Sequence, residues 1–253
     1  MSGKSRELAG RVALVTGASR NIGRAIAVAL GQGGAAVLVH AHRDQAGAEE
    51  TARLVVEAGG RAEVALGDLA DPQEPARLVQ ATLAAFGTLD ILVANAAIRP
   101  EASIDELTYE SWRQVMALAL DSVFLLTKAA LEPLRASDCG AIVSIGGLTG
   151  HSGAGNRAHV ITAKAGLVGF TKALAVEFGA QGIRANCVVP GKIGGERSKT
   201  AGEAPPAAGN SKPLLGHEGE VGDVAAMIMA LCLPTAKYMT GQTIHVNGGL
   251  YLP

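Results

Sequence analysis

Val12-Ala13-Leu14-Val15-Thr16-Gly17-Ala18-Ser19-Arg20-Asn21-Ile22-Gly23 joins a short apolar run to a glycine-bearing turn and then to a helical pattern from Ile22 to Leu30. The apolar run suits a strand buried on both faces. Small residues in the turn let a backbone approach a pyrophosphate. The helix start behind it offers N–H groups and the positive end of a dipole to phosphate. Strand, glycine turn and helix in this order form the setting that a dinucleotide-binding turn requires. Gly17, Ser19, Arg20, Asn21, Ile22 and Gly23 are therefore the first candidate cofactor residues.

Outward from this turn the chain alternates strand and helix. Ala36–Val39 is predicted as the second strand and residues 45–58 as an amphipathic helix closed by Gly59-Gly60. Ala62–Leu66 is predicted as the third strand. Asp71-Pro72 then opens a helix, with aspartate as cap and proline in the first turn. Strands are predicted at 89–94, 141–145, 184–189 and 243–246, and helices at 110–135, 158–178 and 221–231. Strands separated by helices imply parallel pairing with right-handed crossovers. The expected fold is α/β, a doubly wound parallel sheet of about seven strands (a Rossmann fold), with residues 1–253 as one domain. Ligands of such sheets bind beyond the carboxyl ends of the strands, where the strand order reverses. Residues 192–215, rich in Gly, Ala, Pro, Ser and Lys, are expected to lie over that crevice as a lid loop.

Composition narrows the function classes. The chain has 253 residues and a formal net charge of −1, which argues against a nucleic-acid surface. The three cysteines, Cys139, Cys187 and Cys232, lack metal-ligand spacing and read as buried thiols. The N-terminus has no signal-type apolar run, and no stretch reaches about 18 uninterrupted apolar residues. No membrane partner and a cytoplasmic location are expected.

Further motifs occur in order along the chain: Asp68-Leu69 after the third strand, Ala94-Asn95-Ala96-Ala97 after the fourth, Pro190-Gly191 after the sixth and Val246-Asn247-Gly248-Gly249 at the last. Together with Thr16-Gly17-x-x-x-Asn21-x-Gly23, this series resembles the short-chain dehydrogenase/reductase family, and within it the 3-oxoacyl-ACP reductase-like members. Asn21 replaces the family's middle glycine, and asparagine tolerates left-handed backbone better than most residues. The resemblance implies that Asp68 bonds the adenine amine, with Leu69 beside it. It also implies that Asn95 and Ala96 border the adenine ribose, that Pro190 and Gly191 flank the nicotinamide, and that the protein assembles as a homotetramer through its long helices.

Cofactor choice follows from charge. An acidic residue at the end of strand two suits the ribose hydroxyls of NAD(H). This chain reads His40-Ala41-His42-Arg43 there, with no carboxylate before Asp44. Arg20 and Arg43 suit a 2′-phosphate, because guanidinium bonds phosphate with planar, charge-assisted geometry. NADP(H) is the expected cofactor, with NAD(H) as the alternative.

The family's reaction moves a hydride between nicotinamide and a carbonyl carbon, while a tyrosine supplies the proton. A lysine four residues later holds the ribose and lowers the tyrosine's pKa. In this chain the lysine is Lys164, and the tyrosine position is Val160. The serine position falls on Gly147 and the asparagine position on Ala119. The tyrosines are Tyr109, Tyr238 and Tyr251, all distant from Lys164 in sequence, so no small shift of register restores the role. The threonine that follows the proline-glycine turn in the family appears as Gly195, with Ser198 and Thr200 as displaced substitutes. Loss of a positioned general acid costs about 10²–10⁴ in rate, so ordinary ketone reduction is expected to be weak.

Substitute acids are His159, which adjoins Val160, and His151, in the loop after strand five; imidazole suits acid–base work near neutrality. Lys164 itself, Lys192, Thr149 and Ser152 are further candidates. Three readings follow: an oxidoreductase with a rebuilt site, a non-redox enzyme (hydratase, lyase or hydrolase) using the same crevice, or a silent cofactor-binding sensor or structural subunit.

Overall fold

The computed structural model describes residues 6–194 and 212–253. Seven parallel strands form one sheet in the order β3-β2-β1-β4-β5-β6-β7. They are β1 (Val12–Val15), β2 (Ala36–Ala41), β3 (Arg61–Leu66), β4 (Ile91–Ala94), β5 (Ala141–Ile145), β6 (Arg184–Pro190) and β7 (Thr243–Val246). The sequence β1-β2-β3 runs one way from the centre and β4 to β7 the other, so the order reverses between β1 and β4. In sheets of this kind ligands bind at that point, beyond the carboxyl ends of both strands.

Helices cover both faces. On one side α1 (Asn21–Gln32), α2 (Gln45–Glu57) and α8 (Val221–Cys232) bury Ile26, Leu30, Val55, Val224 and Ile228 against the sheet. On the other, α3 (Glu74–Phe86), α5 (Ser122–Ala136) and α7 (Ala158–Phe178) bury Leu78, Leu126, Leu134, Leu174 and Phe178. Strands β1, β2 and β5 are buried along their whole length, whereas β3, at the sheet's edge, alternates exposed and half-buried residues in its first half. That contrast is what coverage on two faces produces for central but not edge strands.

Several elements differ from expectation. Strand β2 continues to Ala41 and so carries His40 within the sheet. Helix α3 starts at Glu74, after the Asp71-Pro72 pair. The Asp71 carboxylate instead closes a local turn by accepting from the Gln73 amide at 2.9 Å, and Pro75 takes the first-turn position. The helix expected at 110–135 is present as α4 (Tyr109–Met116) and α5, joined by a π-helical turn at Ala117–Asp121. Such a turn inserts one residue per repeat and re-aims the side chains around it. Tyr109–Ala136 as a whole is long and apolar enough to span a membrane by length and composition. Here its inward row, including Val115, Val123, Leu126 and Ala130, packs into the core of the fold.

Residues 192–194 are joined to 218–219 by a short parallel bridge between Ile193 and Gly219 and by a Lys192–Glu218 ion pair at 2.7 Å. The expected lid at 192–215 springs from this neck. Its interior, with Gly195, Ser198 and Thr200, lies outside the described residues.

Candidate active site

The glycine turn after β1 is held from three directions. Thr16 Oγ1 accepts from the Asn95 and Ala96 amides at 3.0 and 3.1 Å. The Asn95 side-chain amide donates to the Thr16 and Gly17 carbonyls at 2.9 and 3.0 Å. Arg24, on α1, donates to the Ser19 and Gly47 carbonyls at 2.5 and 3.2 Å and to Thr51 Oγ1 at 3.0 Å, tying the turn to α2. Asn95 thus buttresses the turn from behind. The Asn95 motif was expected to border the adenine ribose, and the bracing by the Thr16 hydroxyl and by Arg24 has no signal in the sequence.

Close packing explains why glycine stands at two of these positions. Gly17 has φ +62°, and a Cβ there would lie 2.9 Å from Ala96 Cα. A Cβ on Gly23 would lie 2.2 Å from the Gly17 carbonyl oxygen and 2.7 Å from Asn95 Nδ2. Asn21 adopts φ +49°, the left-handed conformation anticipated for it. Ile22 and Gly23 follow in the first turn of α1, where helical N–H groups lack intrahelical acceptors. This is a cradle without room for side chains, behind a helix N-terminus, and it fits a dinucleotide phosphate.

Arg20, in the turn, and Arg43, just beyond β2, are exposed. Asp44, the nearest carboxylate, is engaged as the α2 N-cap, accepting from the Gly47 amide at 3.0 Å. Asp68 accepts from the Ala70 amide at 3.0 Å and stands 3.6 Å from His42 Nε2. Leu69 is buried beneath it. At the far end, a Cβ on Gly191 would lie 2.6 Å from Asn247 Cα, so the Pro190-Gly191 turn packs directly on the last strand's exit.

Around Lys164 the site is apolar. Lys164 is 7% exposed, and its ammonium donates to the Ile145 carbonyl at 2.5 Å. Burial pushes its pKa down to about 8 from 10.5, with Cys187 opposing the shift and the Arg99 charge adding to it. Gly147 packs on its stem: a Cβ there would sit 3.3 Å from Lys164 Cγ. Val160 and Ala119, where the sequence pattern leads one to expect a tyrosine and an asparagine, belong to one buried apolar cluster with Val115 and Ala163.

The candidate acids separate clearly. His159 is fully buried, and neither ring nitrogen has a hydrogen-bond partner among the described residues. Burial, reinforced by Arg157, lowers its pKa and keeps it neutral. Its enclosure weighs against the expected role as the acid. Ser144, on β5, is paired with Thr171 of α7 at 3.2 Å between sheet and helix, and Ser152 bonds its own loop. His151, on the short helix α6 (Thr149–Ser152), is half-buried. Its ring meets His245 edge-on with centroids 4.6 Å apart, and Tyr251 at 5.7 Å. Burial lowers the pKa of both histidines. His245, from β7, and Tyr251, from the C-terminal tail, carry no motif that separates them from ordinary packing residues, and the sequence reading passed over them.

Comparison with known proteins agrees with this geometry. A family model described as enoyl-(acyl carrier protein) reductase matches residues 17–251. The 3-oxoacyl-(acyl-carrier-protein) reductase of Vibrio cholerae is 36% identical over 97% of this chain and 99% of its own. A short-chain dehydrogenase/reductase double mutant from Serratia marcescens superposes with a TM-score of 0.86 at 31% identity, covering 96% of this chain and 99% of its own. A blue fluorescent protein from a metagenomic library, solved in complex with NADPH, superposes with a TM-score of 0.85 at 30% identity, covering 97% and 100%. The chain belongs to the short-chain dehydrogenase/reductase family of oxidoreductases and resembles its 3-oxoacyl-ACP reductases.

Proposed function

We propose that the protein is an NADP(H)-dependent oxidoreductase of a carbonyl or alcohol substrate, with proton delivery rebuilt around His151. The observation that carries this reading is a complete dinucleotide cradle beside a lysine whose tyrosine partner is an apolar, buried valine. When bound, NADP(H) supplies or accepts the hydride. Gly17 to Gly23 would hold the pyrophosphate, Arg20 and Arg43 the 2′-phosphate, Asp68 and Leu69 the adenine, and Lys164 the nicotinamide ribose. The engagement of Asp44 as a helix cap supports the choice of NADP(H), since it removes the carboxylate that would contact a ribose hydroxyl. The NADPH complex of a structural neighbour supports it too.

His151 lies one residue beyond Gly150, whose backbone packs on Lys164. With its pKa held below 6.5 by burial, His151 is neutral at pH 7 and ready to take a proton. Alcohol oxidation then runs at neutral pH, and reduction gains as the pH falls and the ring protonates. A cytoplasmic location accords with the reductases this chain resembles. A homotetramer accords with a shallow apolar groove of about 660 Å³ between α5 and α7, lined by Leu120, Phe124, Gly166 and Phe170 among others. The apolar Val160–Ala119 patch also favours a second reading, a cofactor-binding protein with no turnover.

The test is NADPH binding by fluorescence, followed by turnover of carbonyl and alcohol panels in both directions. Wild type is compared with His151→Phe, His159→Ala and Lys164→Ala. Turnover lost in His151→Phe and kept in His159→Ala supports the proposal. Binding without turnover of any substrate establishes the silent reading instead. Equal affinity for NADPH and NADH, unchanged in Arg20→Ala and Arg43→Ala, overturns the cofactor choice.

A further inference from the structure

His40 is 2% exposed and stands at the end of β2, directly under the glycine turn. Its Nδ1 lies 3.3 Å from the Gly17 amide nitrogen, and its Nε2 lies 3.0 Å from the Gly67 carbonyl oxygen. An amide N–H can only donate, so Nδ1 accepts from Gly17. The ring proton is then on Nε2 and is donated to Gly67. Only the neutral Nε2–H tautomer makes both bonds. An imidazolium would turn an N–H toward the Gly17 N–H and leave a buried donor without an acceptor. The His40 carbonyl adds a third tie, accepting from the Ala18 amide at 2.7 Å. One residue therefore joins the phosphate turn to the Gly67-Asp68 turn, the two arms of the cradle.

We infer that His40 is a positioning residue for the cofactor and a pH-sensitive clamp on its cradle: the neutral ring fixes Gly17 against Gly67, and protonation releases Gly17 and weakens NADP(H) binding. This rests on the NADP(H) reading above. The charged and titratable groups facing the ring are Glu74 and Arg77 from α3 and His42 from the end of β2. Glu74 favours the protonated ring, while His42 and Arg77 oppose it. Burial, the largest effect, outweighs the Gly67 carbonyl and Glu74, which favour the protonated ring, and holds the pKa below 6.5, so the clamp is closed at pH 7 and opens on acidification.

The experiment is calorimetric titration with NADP⁺ between pH 5 and 8, for wild type, His40→Asn and His40→Leu, with thermal unfolding at each pH. The Asn side chain presents its oxygen near the place of Nδ1, so it keeps the acceptor for Gly17 without titrating. Expected are a wild-type Kd rising toward tenfold per pH unit below the His40 pKa, a His40→Asn profile that rises less steeply, and weak binding by His40→Leu at every pH. The 2′-phosphate titrates equally in all three and cancels in the comparison. Parallel pH profiles in wild type and His40→Asn overturn the clamp and leave the cofactor reading intact. Absence of NADP⁺ binding by wild type at pH 8 overturns the cofactor reading and the clamp with it. Should His40→Asn not fold, nitrogen NMR of the wild-type ring decides: an Nδ1–H tautomer at pH 7 overturns the inference.

Discussion

Placing a tyrosine and a serine at the positions expected for them tests whether the rest of the proposed machinery is in place. The perturbation is Val160→Tyr together with Gly147→Ser. Val160 is 3% exposed and packs with Ala119 and Ala163, both small, so a phenol ring entering there displaces little. Overpacking of this kind costs about 1–3 kcal/mol, which for a domain of this size lowers Tm by roughly 2–12 °C. At Gly147 the added Cβ meets Lys164 Cγ at 3.3 Å, a contact that the flexible lysine stem relieves by a few tenths of an ångström. A positioned acid contributes about 10²–10⁴ in rate, and an oxyanion donor about 10²–10³. The two act as a unit and do not multiply, so the double variant is expected to gain at least about 10²-fold in kcat/KM. The assay is NADPH oxidation against a simple aryl ketone, with NADPH affinity measured on the same preparation. A folded variant that binds NADPH normally and reduces the ketone no faster than wild type would refute the claim that Lys164 and the cradle are poised for hydride chemistry.

Lys164→Met should raise stability and weaken cofactor binding. The ammonium is charged in both folded and unfolded chains below pH 8. The fall from 10.5 to about 8 corresponds to a burial penalty of about 3 kcal/mol, less about 1 kcal/mol for the bond to Ile145. Between pH 8 and 10.5 the unfolded chain binds the extra proton, so wild-type stability rises with pH there relative to the variant; equal slopes in urea unfolding would contradict this. His159→Leu removes two buried ring nitrogens without partners and should hold or raise Tm, with turnover unchanged; a large loss of either would mean the ring has a role in the site. Gly23→Ala drives a Cβ into the Gly17 carbonyl and Asn95, and should abolish measurable NADPH binding by fluorescence while lowering Tm by several degrees; normal affinity would mean that the turn does not hold the pyrophosphate.

The strands were legible because each is a short apolar run between turn signals. Val12–Val15, Ala141–Ile145 and Thr243–Val246 occur as read. Helix starts were less so: Asp71-Pro72 carries every mark of a cap, yet the carboxylate closes a turn one step early. The phosphate turn was readable from Gly17 and Gly23, whose identity is forced by local space. Thr16, Arg24 and His40 were not, because their partners are 23 to 80 residues away in the chain or depend on how α2 docks. The same limit hid the ring cluster of His151, His245 and Tyr251, which three separate segments assemble. His159 shows the converse. Its position next to Val160 suggested chemistry, but both side chains are buried, and one step along a helix turns the ring about 100° away from the Val160 cluster.

The two halves of the proposed site differ in how the fold supports them. Gly17, Gly23 and Gly191 touch the backbones of other segments, at Ala96, at the turn itself and at Asn247. A side chain at any of them displaces a strand exit or a helix start, so the cradle is tied to the stability of the sheet. Ala119 and Val160 lie in one cluster with a few apolar neighbours, and a Cβ on Gly147 would meet the flexible lysine stem. Exchanging polar groups there for apolar ones leaves the backbone undisturbed and removes groups that would otherwise need hydrogen-bond partners. Changing one alone would strand a buried hydroxyl or amide, whereas changing both makes a dry, well-packed patch. A cofactor cradle can therefore persist while the residues beside it change, and a proton donor is better sought at a half-buried ring such as His151 than at the fully buried His159.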